Sequence, residues 1–117
     1  IIIITGGNSE MVKKRLEGLG VKAVFLSVHQ KLPVMQNYLK ENNIAEKEVL
    51  YMGDDIPDLP CLKVVGVSTC PKDAAIEIRE ASDYISHING GKGCVRDVLE
   101  QTMRVQNKWM DNDAYSW

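Results

Sequence analysis

The sequence predicts an α/β fold in three layers, with helices covering both faces of a doubly wound parallel sheet. Short apolar runs rich in β-branched residues alternate along the chain with segments whose apolar residues recur every three or four positions. Most of these runs are apolar throughout, which is typical of strands buried on both faces of a parallel sheet. Both observations favour strand–helix–strand units joined by crossovers.

The first strand and helix follow from the start of the sequence. Four isoleucines at 1–4 predict a buried strand, which ends at a Thr-Gly-Gly turn. Asn8 or Ser9 is the expected N-cap of a helix that Gly20 closes. The apolar positions of this helix share one face and are Met11, Val12, Leu16 and Leu19. We expect this face, like the other apolar stripes and the five methionines, to belong to the core.

A second helix lies between the next two strands. The segment VKAVFLSV at 21–28 predicts the second strand, and the apolar residues 49–52 predict the third. The helix between them runs to Asn42 or Asn43. Its apolar face is made by Leu32, Met35 and Leu39.

The later part of the chain keeps the same alternation. The expected elements are a helix at 59–64, a strand at 65–70, a helix at 72–81, a strand at 83–86 and a helix at 94–106. The glycine-rich turn NGGKG precedes the last helix. We therefore expect one domain over residues 1–106, followed by a C-terminal tail at 107–117.

Polar side chains collect where the predicted strands end. The stretch LYMGDDIPDLP places Asp54, Asp55 and Asp58 directly after the third strand. Thr5 ends the first strand, and Lys31 opens the helix after the second. Because ligands bind at the carboxyl ends of parallel strands, we expect these groups to converge. Carboxylates suit Mg²⁺, and together with a hydroxyl and an ammonium group they suit phosphoryl transfer.

Each of these groups also has an ordinary structural explanation. The turn at Thr5 is typical of any strand-to-helix connection, and Lys31 alone is typical of a solvated lysine. Asp54 and Asp55 alone suit turn formers or a helix N-cap. The order of the groups along the chain, each at the end of a successive element, favours a shared site.

Composition argues against several classes of function. The 117 residues include 14 basic and 16 acidic side chains, a net charge of −2, without a run of like charges, so no nucleic-acid partner is expected. The apolar runs are too short for a transmembrane helix, so no membrane partner is expected. Cys61, Cys70 and Cys94 lack metal-ligand spacing and favour reduced thiols in a cytoplasmic protein. His29 and His87 also lack ligand spacing, and we expect both to be surface or structural residues.

Residues 1–100 resemble a known family. The matching segments are IIIITGGNSEMVKKRLEGLGV, QKLPVMQNYLKENNI, EVLYMGDDIPDLPCLKVVGVS and DYISHINGGKGCVRDVLE. Their motifs, in this order and at this spacing, are similar to those of the capless sugar-acid phosphatases of the haloacid dehalogenase superfamily. The resemblance implies a Rossmann-like αβα fold and a Mg²⁺-dependent phosphatase. Its substrate would be the phosphate monoester of an eight-carbon sugar acid, in lipopolysaccharide precursor synthesis.

The resemblance implies a role for each residue of the predicted site. Thr5 would bind the transferring phosphoryl group, and Lys31 would steady that group and the aspartyl-phosphate intermediate. Asp54 would ligate Mg²⁺ directly, and Asp55 would support the water shell of the metal. Asp58 would orient Lys31.

The resemblance also implies substrate contacts at Gly6, Gly7, Lys92 and Arg96. The family works as a homotetramer in which the C-terminal region of a neighbouring subunit closes the site. Lys92 and Arg96 are therefore expected to reach the substrate across a subunit boundary. The family usually has Arg at the position of Gly7 and often at that of Lys92. These departures weaken bidentate recognition of a carboxylate or phosphate, because Lys and Gly cannot replace the guanidinium fork.

The nucleophile motif of the family, DxDGV on its first strand, does not occur in this sequence. The first aspartate of that motif attacks phosphorus and the second protonates the leaving oxygen, so a covalent route needs both. In the family this strand lies at the centre of the sheet, between the strands expected here at 1–4 and 49–52. We therefore expect two unpaired strand edges. We also expect the 117 residues to be part of a longer protein, and to be inactive and poorly folded alone.

Three alternatives stay open. Phosphatases of nine-carbon keto-sugar acid 9-phosphates share the same motifs. A response-regulator receiver domain also uses Asp, Thr and Lys on a doubly wound sheet, but there the acidic pair comes first and Lys last. A non-catalytic module, such as the oligomerising tail of a sugar-acid cytidylyltransferase, is the third.

The tail NKWMDNDAYSW is apolar for a terminal segment. Trp109, Met110, Tyr115 and Trp117 supply large apolar side chains, so we expect it to pack on a neighbouring subunit. Docking of the tail on its own chain is the alternative.

Overall fold

The computed structural model describes residues 1–110, within which five strands alternate with five α-helices. The strands are β1 (Ile2–Ile4), β2 (Ala23–Phe25), β3 (Leu50–Met52), β4 (Val67–Cys70) and β5 (Tyr84–Ile85). The helices are α1 (Glu10–Gly18), α2 (Lys31–Glu41), α3 (Leu59–Leu62), α4 (Ile76–Ala81) and α5 (Cys94–Val105). Single 3₁₀ turns lie at Glu46–Glu48 and Ile56–Asp58. The predicted order of elements is confirmed.

All strand pairs among the described residues are parallel, but they form two separate sheets. β1 pairs with β2, placing Ile3 opposite Val24. The second sheet has the order β3-β4-β5, with Tyr51 opposite Ser68 and Thr69 opposite Tyr84. One edge of β1 and one edge of β3 therefore have no strand partner in residues 1–110. The parallel α/β fold is confirmed, and the two open edges match a sheet whose central strand is missing.

Helix α2 packs against both sheets. Its buried residues Met35 and Leu39 form a core cluster with Cys61 of α3. Ile4 of β1 and Tyr51 of β3 pack against the same cluster. A second cluster includes Ile78 of α4, and Tyr51 of β3 packs against it as well. Its buried members are Leu62, Cys70, Ala74 and Ile78.

The prediction for the first helix is half right. Ser9 is the N-cap, because its Oγ accepts a hydrogen bond of 3.3 Å from the backbone N–H of Val12. None of the helix residues is buried, however, and Met11 is 83% exposed. The neighbouring sheet has only two strands, about 5 Å apart, which is too narrow to cover a helix about 10 Å across. The predicted apolar face of α1 is therefore not part of the described core.

The expectation that all five methionines are core residues is also wrong. Met35 is buried, whereas Met11, Met103 and Met110 are exposed. Helix α5 likewise buries Val98 but leaves Val95 and Leu99 exposed.

Several elements are shorter than expected, and the second strand and the fourth helix differ most from their predicted lengths. The strand predicted at 21–28 ends at Phe25, because Ser27 has φ 55° and turns its backbone N–H toward the carbonyl of Gly7, 2.8 Å away. The helix predicted from residue 72 begins only at Ile76, because residues 71–74 form a turn closed by the N–H of Ala74 on the carbonyl of Pro71.

The tail falls partly outside the described residues. The Trp109 ring is half-buried, and its centroid lies 5.5 Å from the guanidinium carbon of Arg104. Met110 is exposed. Tyr115 and Trp117 lie outside the described residues, so packing of the tail on a subunit stays a prediction. Within residues 1–110 no helix has the length and apolarity needed to cross a membrane.

Candidate active site

A pocket of about 340 Å³ opens where β1, β2 and β3 end. Five of the predicted site residues line it: Gly6, Lys31, Asp54, Asp55 and Asp58. Val28, His29 and Pro57 complete the lining. The convergence expected from the carboxyl ends of parallel strands is therefore present for these five residues.

Asp58 is the centre of the hydrogen bonds around this pocket. Its Oδ1 accepts from Lys31 Nζ at 2.7 Å and from the Tyr51 hydroxyl at 2.8 Å. Its Oδ2 accepts from the backbone N–H groups of Asp54 at 3.0 Å and Asp55 at 3.3 Å. Asp58 is only 2% exposed, and all four of these hydrogen bonds are donated to its carboxylate. Both oxygens are thus held in place, and Lys31 is tied to the aspartate loop.

The charge of Asp58 is stabilised by these donors. Burial alone raises the pKa of the Asp58 carboxyl, because it disfavours the charged form. The hydrogen bonds from Lys31, Tyr51 and the Asp54 amide outweigh burial and hold the pKa below its ordinary value. Asp58 is therefore ionised at neutral pH and forms a part-buried ion pair with Lys31.

The aspartate loop has a local reason for its shape. A side chain on Gly53 would overlap the Cβ of Asp58, so only glycine lets the Asp58 carboxylate fold back over the loop. Asp55 is the N-cap of the 3₁₀ turn at Ile56–Asp58, where its Oδ1 accepts from the N–H of Ile56 at 2.8 Å. The N-cap explanation for Asp55 is therefore correct. This N-cap role is compatible with a role in the candidate site, because Asp55 also lines the pocket.

Asp54 is the carboxylate of the loop that is free for a ligand. Its side chain is exposed and makes no hydrogen bond or ion pair to any other residue in the described range. Its backbone is fixed on both sides, because its N–H donates to Asp58 and its carbonyl accepts from Ala75 at 3.0 Å. The structure therefore presents a free carboxylate on a rigid backbone.

The donors fit a hard divalent cation in part. Asp54 and Asp55 offer carboxylate oxygens, the ligand type that Mg²⁺ prefers, and Mg²⁺ takes few ligands from protein. Among residues 1–110 no group of three or more His, Cys, Asp or Glu side chains is placed to hold a metal ion. A metal at Asp54 and Asp55 therefore needs further ligands from water, a phosphate or other residues.

Thr5 lies beside the pocket but does not line it. Its Oγ1 accepts a hydrogen bond of 3.1 Å from the N–H of Gly7, which shapes the turn after β1. Gly6, between them, does line the pocket. Thr5 is half-buried and precedes the pocket-lining Gly6 in the chain, and the ordinary turn explanation also holds for it.

Lys92 and Arg96 lie outside this pocket. Lys92 is in the turn before α5, and Arg96 is in the first turn of that helix; both are exposed. This chain alone does not bring them to Lys31 and Asp54. Their predicted reach across a subunit boundary stays a prediction.

Sequence reasoning missed two residues near the site. His29 is exposed, as expected of a surface residue, but it also lines the pocket, and its position two residues before Lys31 is the signal that could have indicated it. Tyr51 was assigned only to a core strand, yet its hydroxyl reaches Asp58. His87 is on the surface, as predicted, with Nδ1 3.7 Å from Asp97 Oδ2.

A second recess is larger, but its lining residues include no basic group. It measures about 530 Å³ and lies between β2 and α2. Its lining residues are Phe25, Pro33, Val34, Asn37, Tyr38 and Glu41. With one carboxylate and no basic group, this lining does not suit a phosphate, and the smaller pocket is the candidate site.

The fold and this pocket agree with the comparison with known proteins. Residues 24–98 match the model of the haloacid dehalogenase-like hydrolase family. The chain belongs to that family.

The individual relatives are phosphatases by name. The chain is 34% identical over 108 residues to the 3-deoxy-D-manno-octulosonate 8-phosphate phosphatase of Salmonella typhi, covering 92% of the chain and 57% of that relative. It is 29% identical over 108 residues to the enzyme of the same name from Haemophilus influenzae, covering 60% of it. The chain thus spans less than two thirds of the length of these curated relatives.

Solved structures share the fold. The Moraxella catarrhalis 3-deoxy-D-manno-octulosonate 8-phosphate phosphatase, in complex with magnesium, phosphate and KDO, superposes with a TM-score of 0.89 at 33% identity over 92% of this chain and 62% of that one. The cobalt-bound form of the Haemophilus influenzae phosphatase gives a TM-score of 0.86 at 29% identity, covering 92% of this chain and 63% of that one.

Proposed function

We propose that the full-length protein is a Mg²⁺-dependent phosphatase of a sugar-acid phosphate. The specific reaction is hydrolysis of 3-deoxy-D-manno-octulosonate 8-phosphate to KDO and inorganic phosphate. The names of the relatives support this substrate. The observation that carries the proposal is the Lys31–Asp58 ion pair, which lies in one pocket with Asp54 and Asp55.

Lys31 provides the positive charge for the phosphoryl group. One of its three N–H donors is directed at Asp58, which leaves two for phosphate oxygens. Gly6 offers its backbone amide beside Thr5, whose hydroxyl proton contacts the same group. The Gly7 amide already donates to Thr5 Oγ1 and holds that hydroxyl in place. Because charge spreads over the phosphoryl oxygens in the transition state, fixed donors here stabilise it more than they stabilise the ground state.

Asp54 and Asp55 hold the metal in this proposal. Asp54 supplies a direct ligand, and Asp55, already fixed as an N-cap, supports the water shell. A bound Mg²⁺ neutralises the negative charge of the phosphate. The magnesium and cobalt complexes of related phosphatases support a divalent cation at this site.

The covalent chemistry needs two aspartates outside this chain. The first attacks phosphorus, and the second gives its proton to the ester oxygen as the sugar acid leaves. Water then releases the phosphate from the aspartyl-phosphate. These aspartates belong on the strand that would fill the gap between β1 and β3, next to Lys31 and Asp54.

The assembly and location of the protein are further parts of the proposal. The full-length protein is a cytoplasmic homotetramer with a domain that includes residues 1–106. The tail at 107–117 and the residues Lys92 and Arg96 close the site of a neighbouring subunit. The exposure of both side chains supports this arrangement.

Nine-carbon keto-sugar acid 9-phosphates are a second candidate substrate class, because two positions depart from the family pattern. Gly7 and Lys92 stand where the family usually or often has Arg, so recognition of the sugar carboxylate is weakened. Paired turnover assays on the eight-carbon 8-phosphate and a nine-carbon keto-sugar acid 9-phosphate decide between the two.

The test uses the full-length protein with and without Mg²⁺. We expect phosphate release that EDTA abolishes and Mg²⁺ restores. Asp54→Ala removes a metal ligand and should abolish Mg²⁺-dependent turnover while leaving the fold intact. Lys31→Ala should cost about 10²–10³-fold or more in rate, because one electrostatic group is lost.

Glu77→Gln, on the surface of α4, is the control and should retain the wild-type rate. Retained activity in Asp54→Ala or Lys31→Ala would mean that the site is misplaced. A full-length protein without phosphate release would favour the non-catalytic oligomerising module.

A further inference from the structure

We propose that Tyr51 is a positioning residue for Lys31, acting through the shared carboxylate of Asp58; this inference rests on the proposed phosphatase function. The Tyr51 hydroxyl and Lys31 Nζ both donate to the same oxygen, Asp58 Oδ1, at 2.8 and 2.7 Å. Nothing in the family resemblance assigns Tyr51 a role.

The geometry limits how Asp58 can hold Lys31. The other oxygen, Oδ2, is held by the amides of Asp54 and Asp55. Rotation of the carboxylate about its Cβ–Cγ bond would move both oxygens, so the two amides on Oδ2 and the Tyr51 hydroxyl on Oδ1 resist it together. The Tyr51 hydroxyl is the fixed donor on Oδ1 itself, the oxygen to which the lysine ammonium is anchored.

Tyr51 is a rigid anchor, whereas Lys31 is not. Tyr51 packs against both core clusters, and its backbone carbonyl accepts from Thr69 Oγ1 of the paired strand β4 at 2.9 Å. Lys31, by contrast, reaches Asp58 on a flexible four-carbon stem from the first residue of α2. The position of the lysine ammonium group is thus fixed relative to β3, the strand that also leads into the aspartate loop.

The hydroxyl can act only as a donor to Asp58. Burial raises the pKa of Tyr51 well above its usual range, and the adjacent Asp58 carboxylate raises it further. The proton therefore stays on the tyrosine, and the Tyr51–Asp58 hydrogen bond is present whenever Asp58 is charged.

A purely structural role is the competing explanation. A buried tyrosine hydroxyl needs a partner, and Asp58 supplies one. The chain offers a matched control for this, because the Tyr84 hydroxyl donates at 2.8 Å to Asp97, another buried aspartate, away from the pocket. Tyr51→Phe and Tyr84→Phe each remove one hydroxyl from one buried carboxylate.

The test compares these two variants in the full-length protein with Mg²⁺, at a temperature where circular dichroism shows both folded. We expect Tyr51→Phe to lower kcat on the order of tenfold with a smaller change in KM, because a charge-assisted hydrogen bond positions the lysine. Tyr84→Phe should keep the wild-type kcat, although both variants lose thermal stability. 4-Aminophenylalanine at position 51 keeps an N–H donor and should restore most of the rate.

Inorganic phosphate gives a readout that does not depend on turnover. By calorimetry in the presence of Mg²⁺, Tyr51→Phe should bind it several-fold more weakly, and Tyr84→Phe should bind it as the wild type does. Equal kcat and equal phosphate affinity in the two variants would overturn the positioning role while leaving the phosphatase intact. An inactive wild-type protein would instead overturn the proposed function.

Discussion

Asp97 is the second buried carboxylate that the structure stabilises through hydroxyl groups. It is 4% exposed, and its Oδ2 accepts from Tyr84 and Ser86, both at 2.8 Å. Burial raises the pKa of Asp97, but the hydrogen bonds from Ser86, Tyr84 and Gln101, with His87 nearby, outweigh it and hold the pKa below its ordinary value. The charge of Asp97 ties α5 to β5.

The stability that Asp97 contributes depends on pH in a defined direction. Because its pKa is lower in the folded state, its contribution is present above about pH 4 and is lost as the pH falls through the folded-state pKa. We expect Asp97→Asn to lower the free energy of unfolding of the full-length protein by about 1–3 kcal/mol at pH 7. The difference in unfolding free energy between variant and wild type, measured by urea denaturation, should become smaller toward pH 3. A difference that stays constant across this range would contradict the ionised role.

Individual site residues were predictable where chain order alone places them. Gly6, Lys31, Asp54, Asp55 and Asp58 each follow or open an element, and the parallel topology brings them to one pocket. The pairing of Tyr51 with Asp58 was not predictable, because it depends on where the ring of a strand residue points. His29 was missed as well, although its position two residues before Lys31 could have indicated it.

Among the elements, helix α2 connects the pocket with the core residues of both sheets. It starts with Lys31 at the pocket and buries Met35 and Leu39 against residues from both sheets. Its N-cap, Gln30, makes no capping hydrogen bond from its side chain. Packing therefore holds this helix in place more than local capping does.

The packing of α2 can be tested with a matched pair of methionines. Met35 is 2% exposed in the cluster that joins both sheets, and Met11 on α1 is 83% exposed. We expect Met35→Ala to cost about 2–5 kcal/mol of unfolding free energy in the full-length protein, through lost burial and a cavity. Met11→Ala should change the unfolding free energy by less than about 0.5 kcal/mol.

Urea denaturation measures both variants. A small loss at Met35 would mean that the cluster repacks. A large loss at Met11 would mean that α1 is covered by a part of the protein outside residues 1–110.

The element order was predictable from periodicity, whereas burial of individual faces was not. α1 and α5 show apolar stripes, but the described sheets leave much of those stripes exposed. Periodicity reports that a face is apolar, and only the neighbouring elements decide whether it is covered.

At the scale of the whole molecule, the sheet is in two parts. The parallel topology followed from uniformly apolar strands, and the open edges of β1 and β3 followed from the absent DxDGV strand. The proposed homotetramer and the proposed reach of Lys92 and Arg96 cannot be derived from one chain, since they would depend on neighbouring subunits.

The two parts of the sheet are also joined weakly. No backbone hydrogen bond links residues 1–28 to residues 44–110, so α2 packing and the Lys31–Asp58 ion pair connect them. In hydrogen exchange on the 117-residue chain, we expect the amides of β1 and β2 to exchange earlier than those of β3 and β4. In the full-length protein, a central strand should bring both sets to similar protection. Equal protection in the short chain would contradict two separate units.

The candidate site is divided between these two parts of the sheet. Thr5 and Gly6 belong to the smaller unit, whereas the aspartate loop belongs to the larger one. A transient opening of β1 and β2 would therefore displace the turn at Thr5 and Gly6, the proposed phosphoryl contact, while Asp54 stays in place. Such a molecule would lose the proposed phosphoryl contacts without global unfolding.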